Sequence, residues 1–120
     1  WLGEVFRKEL SELCDVNLEL HRSGLIKTVW SPLICFAGRG PGEVFTEDGR
    51  KVVGISQRRT RDWARFQCAV SLQWKPELLL KFLNEPRPTI SDIENCGSNL
   101  SLDSATVATK MTDAIRIALD

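Results

Sequence analysis

Apolar and charged positions recur with a helical period at both ends of the chain. At the N-terminus, the segment Trp1–Leu13 carries apolar residues at the spacing of one helix face, namely Leu2, Val5, Phe6, Leu10 and Leu13. At the other end, a helix capped by Ser101 or Asp103 is expected to continue to Leu119, because Val107, Met111, Ile115 and Leu119 recur every fourth position. Shorter helices are predicted over Glu77–Leu83, after Pro76, and over Ser91–Asn95.

Between the terminal helices the pattern changes to that of strands. Arg65–Trp74 alternates most regularly, with Phe66, Cys68, Val70, Leu72 and Trp74 on one face, and this places Cys68 in the predicted core. Glu43–Thr46 and Lys51–Gln57 are expected to pair as a hairpin around the Asp48-Gly49 turn. Further short strands are predicted at Val16–His21, Leu25–Trp30 and Leu33–Ala37, the last of which contains Cys35.

Composition and charge set the class of protein. A chain of 120 residues, 42% apolar and 27% charged, is typical of one soluble globular domain with its own core. Sixteen basic and sixteen acidic side chains cancel, and no apolar run approaches the roughly 20 residues of a membrane helix, so neither nucleic acid nor a membrane is expected as a partner. We predict a single domain over residues 1–120, of α+β class, with a small mainly antiparallel sheet and helices packed on one side.

Cysteine and histidine usage narrows the chemistry. Cys14, Cys35, Cys68 and Cys96 lie far apart without a Cys-x-x-Cys pair, so neither a metal site nor a disulfide framework is expected, and a reducing cytoplasm is the predicted location. The single histidine, His21, leaves multi-histidine zinc sets out of reach, and on a short strand it is expected to be structural rather than catalytic. Because the chain begins with Trp1 rather than Met, a trimmed or incomplete polypeptide is expected.

The strongest candidate for chemistry is the start of the predicted strand after the hairpin turn. The turn fixes the register of the strand, so Lys51 is aimed in one direction, and Gly54 allows a close approach to the backbone. A fixed cation beside such a glycine fits the binding of an anionic, activated acyl group. The residues alone leave open the alternative of a solvated lysine beside a turn.

A longer combination of motifs resembles one enzyme family. It comprises the segment of Cys35, Pro41-Gly42-Glu43-Val44, the hairpin, Lys51-x-x-Gly54 and the alternating strand that ends at Trp74. This combination resembles the C-terminal half of the lipoate–protein ligase catalytic domain, whose fold is shared with biotin protein ligases and octanoyl transferases. The resemblance implies attachment of a lipoyl or octanoyl group to a lysine of a lipoyl carrier domain through an acyl-adenylate, with ATP, Mg²⁺ and lipoate or lipoyl-AMP.

The resemblance also assigns expected roles to residues. Lys51 is expected to be catalytic, holding the junction between phosphate and carbonyl. Substrate-binding roles are expected for Gly54, Ser56, Arg58, Thr60 and Gln67. Arginines Arg58, Arg59, Arg61 and Arg65 form a basic patch that suits either a phosphate or the acidic surface of a carrier domain, and a solvated strand end is the alternative.

Two alternatives remain open within this interpretation. In an octanoyl transferase, Cys35 would take the acyl group from acyl carrier protein as a thioester, although a buried structural cysteine is the competing interpretation. In a non-catalytic accessory subunit, the chain would complete a ligase whose active site lies mainly elsewhere. Gln67-Cys68 stands where the ligases carry His-Gly, and no arginine- and glycine-rich segment precedes Lys51. The resemblance therefore implies that the N-terminal half either lies on a second polypeptide or was removed from this one.

Overall fold

Four antiparallel strands form one sheet whose spatial order follows the chain, β1–β2–β3–β4. The computed structural model describes all 120 residues. The strands are β1 Leu18–Leu20, β2 Val44–Thr46, β3 Lys51–Arg59 and β4 Ala64–Val70. The helices are α1 Leu2–Cys14, α2 Pro76–Leu80, α3 Ile90–Ile93 and α4 Ser104–Leu119, and a 3₁₀ turn covers Cys35–Ala37. The predicted α+β class is therefore confirmed.

The two long helices pack on each other and on one face of the sheet. The core between these layers contains the apolar faces that the helical spacing predicted, including Leu2, Phe6, Leu10, Val107 and Met111. Asp103 caps α4, because its carboxylate accepts a hydrogen bond from the Thr106 N–H at 3.0 Å. The expected terminal helices and the helical layer on one side are confirmed.

The hairpin of β2 and β3 folds around the predicted turn. Gly49 has a φ of 86°, a conformation that favours glycine, and the Thr46 hydroxyl accepts from the Arg50 N–H at 2.9 Å. A register irregularity lies between Val44 and Phe45, which pair with Val53 and Lys51. The turn and this bulge together set which way the first residues of β3 point.

Strand alternation divides the side chains of β3 and β4 between two environments. Ile55 and Val70 pack against the core beneath the helices. Their neighbours Gly54 and Ser56 pair with Ala69 and Gln67 on the opposite face. That opposite face carries no long helix and holds the candidate site.

Two predicted strands are absent. Leu25–Trp30 forms only an isolated antiparallel bridge between Ile26 and Arg39, followed by turns. Leu33–Ala37 contains a 3₁₀ turn, with Cys35 exposed at its first residue. Both apolar runs were too short for periodicity to distinguish a strand from an irregular segment, and neither finds a full-length strand partner.

The predicted core position of Cys68 is wrong, because its residue is exposed. It lies on β4, an edge strand, between the half-buried side chains of Phe66 and Val70. A groove toward α4 remains open beside it. The alternation of β4 was identified correctly, but the helices do not cover the edge fully.

No helix of the chain combines the length and the apolar character needed to cross a bilayer.

Candidate functional site

Lys51 is buried where the hairpin leaves its turn, and its side chain is only 2% exposed. Its Nζ donates to the backbone carbonyl of Cys35 at 2.8 Å and lies 2.9 Å from Oε2 of Glu43. The rings of Phe36 and Phe45 lie 5.2 and 5.8 Å from the same nitrogen. The ammonium group is thus held in a defined position, away from bulk water.

Glu43 is the acidic partner of this cation. Besides Lys51, its carboxylate accepts hydrogen bonds from the Gly40 N–H at 2.7 Å and from the Ile55 N–H at 3.2 Å. The carboxylate therefore has three donors, one from the loop before β2 and two from β3, and such full hydrogen bonding is the condition under which a buried ion pair is tolerated. No role for Glu43 was predicted from the sequence, because the hairpin register places it opposite Gly54 and its pairing with Lys51 depends on how the loop before β2 folds onto β3.

The 3₁₀ turn closes one side of the site. The Phe36 ring lies over Gly54, such that a Cβ atom on that glycine would approach the ring to 3.1 Å. The same ring stacks on Trp74, with centroids 5.6 Å apart and an angle of 18° between the planes. The space next to Gly54, which was expected to admit a ligand or another backbone, is thus filled by the Phe36 ring.

A cleft of about 310 Å³ opens beside this turn on the helix-free face of the sheet. Its lining combines a mainly apolar surface with a few polar groups, and consists of Cys35, Phe36, Glu43, Gly54, Ile55, Ser56, Gln67, Cys68 and Ala69. A volume near the lower end of the small-molecule range and a mostly apolar lining fit a short acyl chain. A larger depression of about 710 Å³ between residues 72–75 and 99–103 is more open to solvent and contains none of the predicted site residues.

The predicted site residues separate into three positions. Cys35, Gly54, Ser56 and Gln67 line the cleft. Lys51 lies beneath it, touching the lining through Glu43 and the carbonyl of Cys35.

Arg58 and Thr60 lie outside the cleft, toward the exposed connection between β3 and β4. The Thr60 hydroxyl is engaged within that connection, where it accepts from the Trp63 N–H at 3.2 Å. The structure therefore groups four of the seven predicted residues around one cavity, places one directly below it and leaves these two beyond its rim.

The thiols differ in their surroundings. Shielding by neighbouring groups raises the pKa of Cys68 above that of a free thiol. Burial likewise raises the pKa of Cys14 and of Cys96, and the positive charge of Lys51 opposes the effect at Cys96. No disulfide joins the four cysteines, and no three metal-ligating side chains lie grouped.

No protein-family model, curated protein or solved structure matches this chain.

Proposed function

We propose that this chain provides the acyl-binding part of a lipoate–protein ligase-like enzyme, which attaches a lipoyl or octanoyl group to a lysine of a lipoyl carrier domain through an acyl-adenylate. The proposal rests on the motif combination around Lys51-x-x-Gly54. The observation that carries it is the apolar cleft beside a buried, oriented Lys51. The catalytic domain of such a ligase acts in the cytoplasm under this proposal.

The cleft accounts for the acyl part of the substrate. An extended hydrocarbon chain would lie along Ala69, which pairs directly with Gly54 across β3 and β4 and presents no bulky side chain. The Phe36 ring would cover it from the side of the 3₁₀ turn. Removing this apolar surface from water supplies the binding free energy, on the order of 0.8 kcal/mol for each buried CH₂ group.

Polar groups at the other end of the cleft suit the activated carbonyl. Ser56 and Gln67 form a direct cross-strand pair on the same face, and both are exposed. A hydroxyl and a carboxamide together offer both donors and acceptors. The carrier lysine would attack the carbonyl carbon held here, and AMP would leave with the electrons of the broken C–O bond.

Lys51 would act on this carbonyl or on the adenylate phosphate through a change of partner. Its charge is compensated by Glu43, and one of its two observed partners must be exchanged before the ammonium contacts a ligand. A phosphate or a developing oxyanion is a charged acceptor. It would therefore displace the neutral carbonyl of Cys35 from the ammonium more favourably than it would displace the charged carboxylate of Glu43. The pair with Glu43 would then hold the lysine in place while it shifts toward the cleft.

ATP and Mg²⁺ enter this proposal as substrates. No cluster of carboxylates in the chain is grouped as a metal site, so Mg²⁺ would be held mainly through the phosphates of ATP. The adenylate-gripping segment that the family carries before its lysine is supplied, under this proposal, by a further polypeptide segment. Both edges of the sheet, β1 and β4, offer backbone groups with which such a segment would pair.

The direct test is transfer to an apo lipoyl carrier domain. The chain is mixed with ATP, Mg²⁺, lipoate and the carrier, with and without the polypeptide that supplies the N-terminal half, and the mass of the carrier is measured. A mass gain equal to a lipoyl group is expected when both parts are present. No gain under either condition would remove the ligase proposal.

A neutral replacement of the ion pair tests the role of Lys51 without leaving a buried charge. The double variant Glu43→Gln with Lys51→Met keeps the shapes of the two side chains. We expect it to fold and to lose at least about a hundredfold in transfer rate, because a positioned cation is worth several kcal/mol in such a site. Transfer at the parent rate by the folded double variant would contradict the assignment.

A second candidate activity is a cysteine-dependent octanoyl transferase. The specific observation that favours it is the exposed position of Cys35 at the mouth of the cleft, within the same turn whose carbonyl binds Lys51. Its thiolate would attack an octanoyl thioester of acyl carrier protein and expel the thiolate of that protein. The lysine of the lipoyl carrier domain would then attack the new thioester carbonyl, forming the amide and releasing the Cys35 thiolate. This activity needs no ATP and is abolished by Cys35→Ser, whereas the ligase needs ATP and tolerates that change.

A further inference from the structure

An unusual concentration of cations lies at the connection between β3 and β4. Around the end of this hairpin lie five exposed residues that we call the Arg–Trp tip, with Arg58 and Arg65 on one sheet face, Arg59 on the other, and Arg61 and Trp63 in the connection. Arg58 and Arg65 are direct cross-strand partners. Like charges opposite each other in an antiparallel pair destabilise it, so this pair carries a cost for the fold.

Nothing in the chain compensates these charges with an acid. Ion pairs engage Arg7, Arg22, Arg50, Lys51, Arg87 and Lys110, and none involves an arginine of the tip. Asp62 is the acidic residue within the connection, and it forms no ion pair. The chain as a whole is neutral, so the acids that balance the tip lie on other surfaces.

The connection is ordered by its own hydrogen bonds. The Thr60 N–H donates to the Trp63 carbonyl at 2.8 Å, and the Thr60 hydroxyl accepts from the N–H groups of Asp62 at 3.3 Å and Trp63 at 3.2 Å. The arginines and Trp63 are therefore presented from a defined turn. A surface that is already ordered loses less conformational entropy when it binds a partner.

Trp63 distinguishes a protein interface from a site for a free anion. Trp63 is 51% exposed. Its ring stacks on no other aromatic ring, and no arginine of the tip makes a cation–π contact with it. Tryptophan and arginine are the residue types most enriched among the energetically dominant positions of protein interfaces. A small phosphate would use the guanidinium groups alone and leave the indole without a role.

We infer that the Arg–Trp tip docks an acidic surface of a protein partner. On the proposed function this partner is the lipoyl carrier domain. Arg58 and Arg65 share the sheet face of Ser56 and Gln67. Two residues along a strand span about 7 Å, so a partner on the tip would lie next to the mouth of the cleft.

The test uses one substitution at position 65 that is expected to stabilise the fold and to weaken docking. Arg65→Glu replaces the like-charged pair with an opposite-charged pair facing Arg58, and we expect the thermal midpoint of the chain to rise by roughly 1–4 °C. The same change removes two units of positive charge from the tip. We expect it to lower the association rate with an apo lipoyl carrier domain of net negative charge about 10-fold at low ionic strength, and less at high ionic strength.

Matched controls separate local charge from net charge. Arg116→Glu makes the same change in net charge at an exposed arginine of α4 and is expected to leave the association rate unchanged. Trp63→Ala is expected to raise the dissociation rate, and Phe82→Ala, at a residue that is 86% exposed, is expected to leave it unchanged.

The possible results distinguish this inference from the proposed function. Equal association rates for the parent chain and Arg65→Glu would overturn the docking surface, as would absence of parent binding or an equal effect of Arg116→Glu. Tighter binding of an unrelated RNA oligonucleotide than of the carrier would also overturn it. Carrier binding that depends on Arg65, together with no acyl transfer even when the polypeptide that supplies the N-terminal half is present, would keep the docking surface and remove the proposed function.

Discussion

The Nζ of Lys51 lies 2.9 Å from the carboxylate of Glu43, and both side chains are shielded from water at the base of the cleft. The carboxylate is held in addition by the backbone N–H groups of Gly40 and Ile55. This one ion pair therefore ties the glycine-containing loop before β2 to β3. Through the carbonyl of Cys35, Lys51 also fixes the 3₁₀ turn that forms one wall of the cleft.

Removing one partner of this ion pair is expected to lower the free energy of unfolding more than replacing both partners by neutral side chains. Glu43→Ala leaves the buried ammonium of Lys51 without its counter-charge, and we expect the free energy of unfolding to fall by about 3–5 kcal/mol. The neutral double variant Glu43→Gln with Lys51→Met is expected to lose less, because no buried charge remains unpaired. Urea unfolding of the parent, both single variants and the double variant measures these differences. Additive losses would show that the two side chains do not interact.

Enlarging Gly54 is expected to close the cleft. A Cβ atom there would approach the Phe36 ring to 3.1 Å, and stacking on Trp74 resists movement of that ring. We expect Gly54→Val to lower the free energy of unfolding by about 1–3 kcal/mol and to weaken binding of octanoate at least tenfold (about 1.4 kcal/mol).

Gly24→Ala is the control for this substitution, because a Cβ at Gly24 meets nothing within 4 Å. Titration calorimetry with octanoate measures the affinity of both variants. Parent-like binding by Gly54→Val would show that the acyl chain does not occupy this cleft.

Alkylation of the native chain should begin at Cys35. The residue is exposed, whereas desolvation raises the pKa of Cys14, Cys68 and Cys96 and lowers the fraction of each that is thiolate near neutral pH. We expect iodoacetamide at pH 7 to label Cys35 first, as followed by peptide mass spectrometry over time. Faster labelling of Cys68 would contradict the structure at the edge strand, and equal labelling of all four in urea provides the unfolded reference.

The hairpin turn is expected to weaken in acid. The Thr46 hydroxyl, followed by Arg50, lowers the pKa of Asp48 below its ordinary value of 3.8. A carboxyl whose pKa is lower in the folded state stabilises the fold above its unfolded pKa, and this contribution is lost as pH falls through the folded pKa. We therefore expect the parent chain to lose stability relative to Asp48→Asn as pH falls below 3.8, measured by thermal unfolding between pH 5 and about 2. A constant difference between the two across this range would contradict the assignment.

The elements that sequence analysis predicted correctly are those that carry their own period or turn chemistry. The helix of Leu2–Cys14, the helix after the Asp103 cap and the hairpin around Gly49 each follow from local spacing. Their boundaries moved by only a few residues. The run at Leu33–Ala37 had no such period, and contacts with β3 decided its form.

The candidate site shows the same division. That Lys51 leaves a tight turn and that Gly54 permits a close approach were visible in the sequence, because both depend on residues adjacent in the chain. Tertiary packing decided three further outcomes: which group binds the ammonium of Lys51, which side chain covers Gly54 and whether Cys68 is buried. Those outcomes depend on how the 3₁₀ turn, the loop before β2 and the edge of β4 meet in space, and no local pattern encodes that meeting.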